Sequence, residues 1–247
     1  MRWASLLILL LRPALAVADE TESVTRLAAL WEQRQDRGRA AEALRLGTAA
    51  LAERPGDPDL MFWTARFALW VGDTSTDPEE KKRLGREAWD VGDRLARARP
   101  GWVAGHYFGA AGIGLYCGGA GILAALTEAL DTKFTERLDR ALALDPRFEH
   151  HGPGLAKGRY YFEMPWPKRS YTKSAAWYRR VLADDPKNLR AMAWLAETMW
   201  REGDVAGARA ELASVQEGHI EGDVPEEERV KTLAREIAHR IESKDGR

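Results

Sequence analysis

Leu182-Ala183-Asp184-Asp185-Pro186 ends one helical run, and Met192, Leu195, Ala196 and Met199 carry the apolar face of the next. Positions i, i+3, i+4 and i+7 share one side of an α-helix. Gly203-Asp204 then supplies a turn, and Ala208, Leu212 and Val215 mark a second helix. The stretch therefore reads as one helix–turn–helix unit. The proline approach that opens it recurs three times, at Leu51-Ala52-Glu53-Arg54-Pro55, Ala96-Arg97-Ala98-Arg99-Pro100 and Leu142-Ala143-Leu144-Asp145-Pro146. The four prolines stand 45, 46 and 40 residues apart. Proline cannot continue a helix and pushes the residue before it out of the α region. A stop at near-regular intervals marks the ends of repeated units. No stretch alternates apolar and polar residues as a half-buried strand does. The reading is an all-α solenoid of helical hairpins, which suits a binding or assembly scaffold before an enzyme.

The unit after Pro186 spans about 34 residues, the tetratricopeptide period. It resembles a tetratricopeptide repeat in its pattern too. Met192, Leu195, Ala196 and Met199 give large, large, small, large on the first helix; Ala208, Leu212 and Val215 fill the small, large, small set on the second. The resemblance implies a right-handed superhelix. Other units fit with insertions. Leu27, Leu30 and Trp31 lead through Gly38, Ala43, Gly47 and Ala50 to Pro55, with Trp31 too big for a small position. Leu155 and Ala156 lead to Tyr178, around an insertion holding Met164-Pro165-Trp166-Pro167; two middle units carry insertions near Asp73–Glu80 and Gly118–Thr132. The expected organisation is a repeat domain over 19–224, of four to five hairpins, and a C-terminal capping helix and tail over 225–247. In that tail Val230, Leu233, Ala234 and Ile237 share a face, with Ile241 one turn on.

Hydrophobic residues make up 45% of the 247 and charged residues 30%, a globular balance. The net charge of -1 gives no electrostatic case for nucleic acid. Met1-Arg2-Trp3, an apolar run from Ala4 to Leu11, and Ala16-Val17-Ala18 describe a cleaved secretory signal over 1–18, with a short membrane anchor as the alternative. No Cys stands at the cleavage site, so lipid attachment there is not expected, and export to the periplasm is. The only Cys, Cys117, forms no internal disulfide and sits in an apolar run.

Three segments invite functional readings. Trp102–Leu126 holds no Asp, Glu, Lys or Arg and seven glycines. Gly105-x-x-x-Gly109 and Gly114-x-x-x-Gly118 would suit a membrane span with small-residue contacts. The plainer reading is a buried solenoid helix whose glycines let its neighbours approach, and an oligomer contact or apolar channel wall is a third. His150-His151 do not share a helix face, so a metal site would need distant ligands, and the pair reads as a turn before a helix. Tyr160-Tyr161-Phe162 is core-like, whereas Trp166 between Pro165 and Pro167 suits a loop tip or groove edge. No nucleophile elbow, P-loop, dinucleotide fingerprint or metal spacing appears, so no catalytic residue, metal or cofactor is expected.

The run Ala141-x-x-Leu144-Asp145-Pro146, Gly152-Pro153, Gly158-Arg159-Tyr160-Tyr161, Pro165, Pro167 and Ala175–Tyr178 resembles the T-component family of TRAP transporters, over roughly Trp63 to Val215. These are periplasmic tetratricopeptide proteins of bacteria. The resemblance implies association with a periplasmic substrate-binding protein, self-association around a pore, and small organic acids or hydrophobic molecules as ligands. Family members are often lipoproteins, and this chain departs from that. Tetratricopeptide first helices line the concave face at template positions two, five, nine and twelve. Transferred residue by residue, these positions select Asp59, Phe62, Arg66 and Leu69, then Ala104, Tyr107, Ala111 and Gly114, then His150, Pro153, Lys157 and Tyr160, then Arg190, Ala193, Glu197 and Trp200. The candidate site taken from them is Phe62, Arg66, Tyr107, His150, Lys157, Tyr160, Arg190, Glu197 and Trp200, with Trp166 added from the loop. Cations beside aromatic surface suit an amphipathic anion or a peptide carboxylate. The functional expectation is a non-enzymatic periplasmic accessory to TRAP-type uptake. Its rival is a cell-envelope interaction scaffold with no transport role.

Overall fold

The computed structural model describes residues 22–121 and 130–245, with side chains to 243. The signal-like leader and residues 122–129 of the charge-free segment lie outside the described residues. Eleven helices and no strand occur among the described residues. They are α1 (22–31), α2 (Arg37–Glu53), α3 (Pro58–Asp73), α4 (Pro78–Ala98), α5 (Val103–Ala120), α6 (Leu130–Leu144), α7 (Phe148–Glu163), α8 (Tyr171–Asp184), α9 (Leu189–Glu202), α10 (Val205–Glu217) and α11 (Val224–Asp245).

Local chemistry explains where the helices begin. Asp36, Asp57, Asp77, Ser170, Asn188 and Asp204 each stand at an N-cap and accept a hydrogen bond from a first-turn backbone N–H. Each such cap contributes roughly 1 kcal/mol. Pro58 and Pro78 follow two of them, at a position whose N–H has no helical partner anyway. α9 closes on Gly203 in the left-handed region (φ 97°), the usual glycine stop. Pro55, Pro100, Pro146 and Pro186 fall in the turns α2–α3, α4–α5, α6–α7 and α8–α9. The proline stops therefore separate repeats, as the sequence reading requires.

From α2 onward each helix packs on the next, and the odd-numbered helices α3, α5, α7, α9 and α11 also pack on one another in that order. Even-numbered helices make no such contact with each other among the described residues. The odd helices thus form a continuous inner layer, and the even helices form an outer layer filling the gaps. The repeat after Pro186 packs as its pattern requires, with Leu195, Ala196, Ala208, Leu212 and Val215 buried. Trp31 is buried as well, among Trp63, Phe67 and Trp70, so the first repeat takes a large residue where the template wants a small one.

α4 and α5 approach most closely. A Cβ on Gly85 would stand 2.7 Å from the Tyr116 Cα, on Gly92 2.8 Å from the Gly109 Cα, on Gly105 2.7 Å from the Ala96 Cα, and on Gly112 2.9 Å from the Trp89 Cα. Backbone meets backbone along this seam, and only glycine fits. The spacing differs from the two Gly-x-x-x-Gly pairs of the sequence reading. Gly105, Gly112 and Gly119 contact α4 at intervals of seven, whereas Gly109 and Gly114 face Arg137 and Phe134 of α6, and Gly118 faces open space. No described helix is long and apolar enough to cross a membrane.

We expect Gly112→Val to destabilise the fold by about 3 kcal/mol, because the clash is with backbone and no side chain can rotate away. Gly118→Ala should raise stability by up to about 1 kcal/mol through helix propensity alone. Urea midpoints of the two variants check the contrast.

Candidate functional site

The inner layer, with residues of α4 and α6, lines a half-open cavity of about 730 Å³. α5 supplies its floor. Ala111, Gly114 and Gly118 lie on one side of that helix and leave it open, because a side chain at Gly118 would meet nothing within 4 Å. Trp31, Leu69 and Trp70 wall one side; Phe134, Leu155, Tyr160, Met164 and Trp194 wall the other. Phe134 stacks on Tyr160 with ring centroids 5.7 Å apart. The lining is mainly apolar, as small-molecule sites usually are.

Arg159 and Glu163 pair beside Trp194, and the larger cluster of charged groups lies around Trp31 and Trp70. Arg66 Nε lies 2.8 Å from Glu149, and Arg190 Nη2 lies 2.6 Å from Glu226. Arg34 pairs with Asp223, and Arg229 with Asp73. The guanidinium of Arg66 sits 3.9 Å above the Trp31 ring. Those of Arg34 and Arg229 both sit on Trp70, at 4.5 and 4.6 Å. Burial, and then the charge of Arg34, push the Arg229 guanidinium down to about 10. Burial raises the Tyr107 hydroxyl well above its ordinary value, and the Glu149 charge adds to that. Burial alone would raise the Asp223 carboxyl, but hydrogen bonds with His150 and Arg34 outweigh it and hold Asp223 at about 2. The hydrogen bond to Asp223 in turn raises His150.

An interruption in α7 brings two of these groups inward. Glu149, His150 and His151 have φ of 49°, 53° and 66°, three consecutive non-glycine residues in the left-handed region. Each such residue costs roughly 1–2 kcal/mol. Asn188 Nδ2 donates to the His150 carbonyl at 3.0 Å, and the ion pairs of Glu149 and His150 add further restraint. The helix resumes at Gly152-Pro153. Gly152 is required there, because a Cβ would reach the Tyr107 ring and hydroxyl at 2.5 Å.

Of the residues chosen from sequence, Arg66, Tyr107, His150, Tyr160 and Arg190 line the cavity. The other five lie elsewhere. Phe62 stacks on Trp102, with centroids 5.2 Å apart and 11° between planes, as part of the N-terminal core. Lys157 is buried with its Nζ 2.7 Å from Asp139 of α6. Glu197 is 1% exposed and held by Arg159 and Arg240. Trp200 packs on the C-terminal core. Trp166 is 87% exposed on the loop between α7 and α8. In α7 the template count finds His150 and Tyr160 but misplaces Lys157, because the left-handed turn resets the helix after His150. The lining face there runs Gly152, Leu155, Ala156, Arg159 and Glu163. On α9 it is Arg190 and Trp194 rather than Ala193 and Glu197. Arg34, Trp70, Asp223 and Arg229 escape the count altogether, since only the closure of the whole solenoid brings them together. Among the described residues, no group of three His, Cys, Asp or Glu is placed to hold a metal ion.

Residues 169–219 match the family model for the tetratricopeptide repeat. That segment is similar to a tetratricopeptide repeat. The fold of the chain is similar to a solved thermophilic tetratricopeptide protein of Thermus thermophilus, with a TM-score of 0.64 and 21% identity over 87% of this chain and 98% of that one. No curated protein matches it. At that identity the likeness establishes the fold, a helical-hairpin solenoid, and nothing about the ligand.

The Asp223–His150 pair gives stability a pH signature. The lowered Asp223 carboxyl contributes above its unfolded value near 3.8 and loses that contribution as pH falls toward about 2. The raised His150 contributes fully below its unfolded value of 6.5 and loses its contribution as pH climbs through the higher folded value. The advantage of wild type over Asp223→Asn should therefore be greatest between about pH 4 and 6.5, shrinking on both sides. The carboxyl part is at most about 2 kcal/mol and less after solvent screening. Thermal unfolding of both proteins across pH checks the shape.

Proposed function

We propose that the chain is a non-enzymatic periplasmic accessory to TRAP-type solute uptake, which holds a small amphipathic molecule in the concave cavity and presents the solenoid to a periplasmic substrate-binding protein. Tetratricopeptide solenoids in general serve as interaction scaffolds, and that coarser role fits this fold. The observation that carries the finer reading is the half-open, mainly apolar cavity of about 730 Å³ with a cluster of arginine–carboxylate pairs in its wall. An interaction groove needs no apolar hollow of that depth, whereas small-molecule sites fall in this size range. The setting rests on two sequence features. One is the signal-like leader; the other is the resemblance of the Ala141–Tyr178 region to T-components.

The charge pattern refines what the ligand must be. Arg66 and Arg190, which sequence reading offers to an anion, already hold Glu149 and Glu226. An acid group gains little there unless it displaces a carboxylate. The apolar body of the ligand therefore supplies most of the affinity, at roughly 25 cal/mol per Å² buried. The acid group orients it.

Native mass spectrometry of the protein, purified without detergent from periplasm, should reveal a bound small-molecule mass. Gly118→Phe projects a ring into the cavity without touching the α4–α5 seam, so it should remove that mass while helix content stays unchanged. A wild-type protein that never carries an adduct, with or without a transporter partner present, would sink the ligand reading and leave the scaffold.

A further inference from the structure

The two ends of the solenoid meet across the mouth of this cavity, and they meet through charged side chains. The N-terminal core runs from Leu27 to Phe108 and the C-terminal core from Leu189 to Ile241; they share no residue. The backbone of α11 packs on α9 and α10 and not on α3. Yet Asp223, in the turn before α11, accepts a hydrogen bond from Arg34 in the turn after α1, 189 positions away. One turn into α11, Arg229 pairs with Asp73 at the end of α3 and lies over Trp70. Arg34 lies over the same ring, so two guanidiniums share one tryptophan. The side chain of Arg34 is 2% exposed, and its Nε has no hydrogen-bond partner. Two like charges packed on one ring, one with an unsatisfied donor, make a contact that is compensated but not deeply stable.

From these contacts we infer that Arg34, Trp70, Asp73, Asp223 and Arg229 form an ionic clasp, whose opening lets the first repeats swing away from α11 and admits the ligand. The inference rests on the cavity being a ligand site. Its physical basis is the contrast between the clasp and the rest of the fold. Repeats are joined to their neighbours by apolar cores, which salt does not weaken. The ends are joined by ion pairs and cation–π contacts; salt screens the Arg229–Asp73 pair, whose carboxylate is exposed, and acts much less on the buried Arg34–Asp223 pair. A solenoid contacts only successive units, so releasing its ends disturbs no repeat. Ionic strength therefore acts on closure while leaving the helices intact.

The test uses the full chain with Cys117→Ser and two spin labels, at Glu32→Cys beside α1 and Glu236→Cys on α11, both exposed sites outside the clasp. Pulsed electron resonance should give one short distance at about 0.05 M NaCl and a growing longer population toward about 1 M. Arg229→Met should show the longer distance already at low salt, and so should Asp73→Asn, which breaks the clasp from the other side. Anilinonaphthalene sulfonate, an amphipathic anion, serves as the entry probe. Its association rate should rise about tenfold in either variant at low salt, and wild type should catch up as salt rises. A distance that stays short in both variants and at every salt overturns the clasp, as does an association rate that ignores the opening. Circular dichroism confirms that each variant is folded. If Gly118→Phe leaves the fluorescence amplitude intact, the ligand reading of the cavity fails instead, while the distances still report on the clasp.

Discussion

The backbone-to-backbone seam between α4 and α5 governs much of this architecture. Two helices that touch through Gly85, Gly92, Gly105 and Gly112 lie closer than side chains would permit. That approach fixes the rotation of α5 about its own axis. With one glycine row committed to α4, the opposite row of Ala111, Gly114 and Gly118 must face the inner layer. The same small residues that would weaken an isolated helix thus serve twice, as a packing surface and as a cavity floor. The strongest sequence anomaly, a charge-free and glycine-rich helix, packs against α4 on one face and floors the cavity on the other.

The charged cluster of the cavity follows a different rule. Arg34, Arg66, Arg190 and Arg229 each stand within reach of a carboxylate, and each also lies against a tryptophan ring. A guanidinium tolerates such half-dry surroundings better than an ammonium, being planar, delocalised and weakly hydrated. The pairs cancel most of the charge, so the cavity offers oriented dipoles and not a strong positive field. On the proposed ligand reading, selection then depends on shape and apolar area, with the charged cluster setting direction.

The sequence makes the fold legible because local signals agree. Proline stops and the small–large pattern of Ala196 and Ala208 point to hairpins of one kind, and the structure puts those prolines in turns and buries those alanines. The site is half legible. Arg66, Tyr107 and Arg190 follow from template counting because α3, α5 and α9 are uninterrupted before those positions. Glu197 sits on the unbroken α9 but is buried between Arg159 and Arg240, and Lys157 is misplaced because counting assumes an unbroken helix. The left-handed turn at Glu149–His151 breaks that assumption in α7. The sequence reads His150-His151 as a turn before a helix, but not its left-handed sense, since none of its three residues is glycine and it persists through contacts with Arg66, Asn188 and Asp223. Arg34 and Arg229 illustrate the same limit at longer range. Their meeting depends on accumulated curvature over every repeat between them.

That dependence on curvature bears on how the molecule can move. In a repeat protein each interface adds a small rotation, so a slight change at any one is magnified at the ends. The ends are also where this chain places its least apolar contacts. His150 stands between them, hydrogen-bonded to Asp223 on a turn that is itself strained. A ligand that presses on the α7 turn would act on the clasp directly through His150 and Glu149. One pressing on the α5 floor would act through the rotation of the central repeat. Both routes lead from the cavity to the contact that closes it. The coupling needs no dedicated pathway, because the strained turn belongs to the cavity wall and to the closure at once.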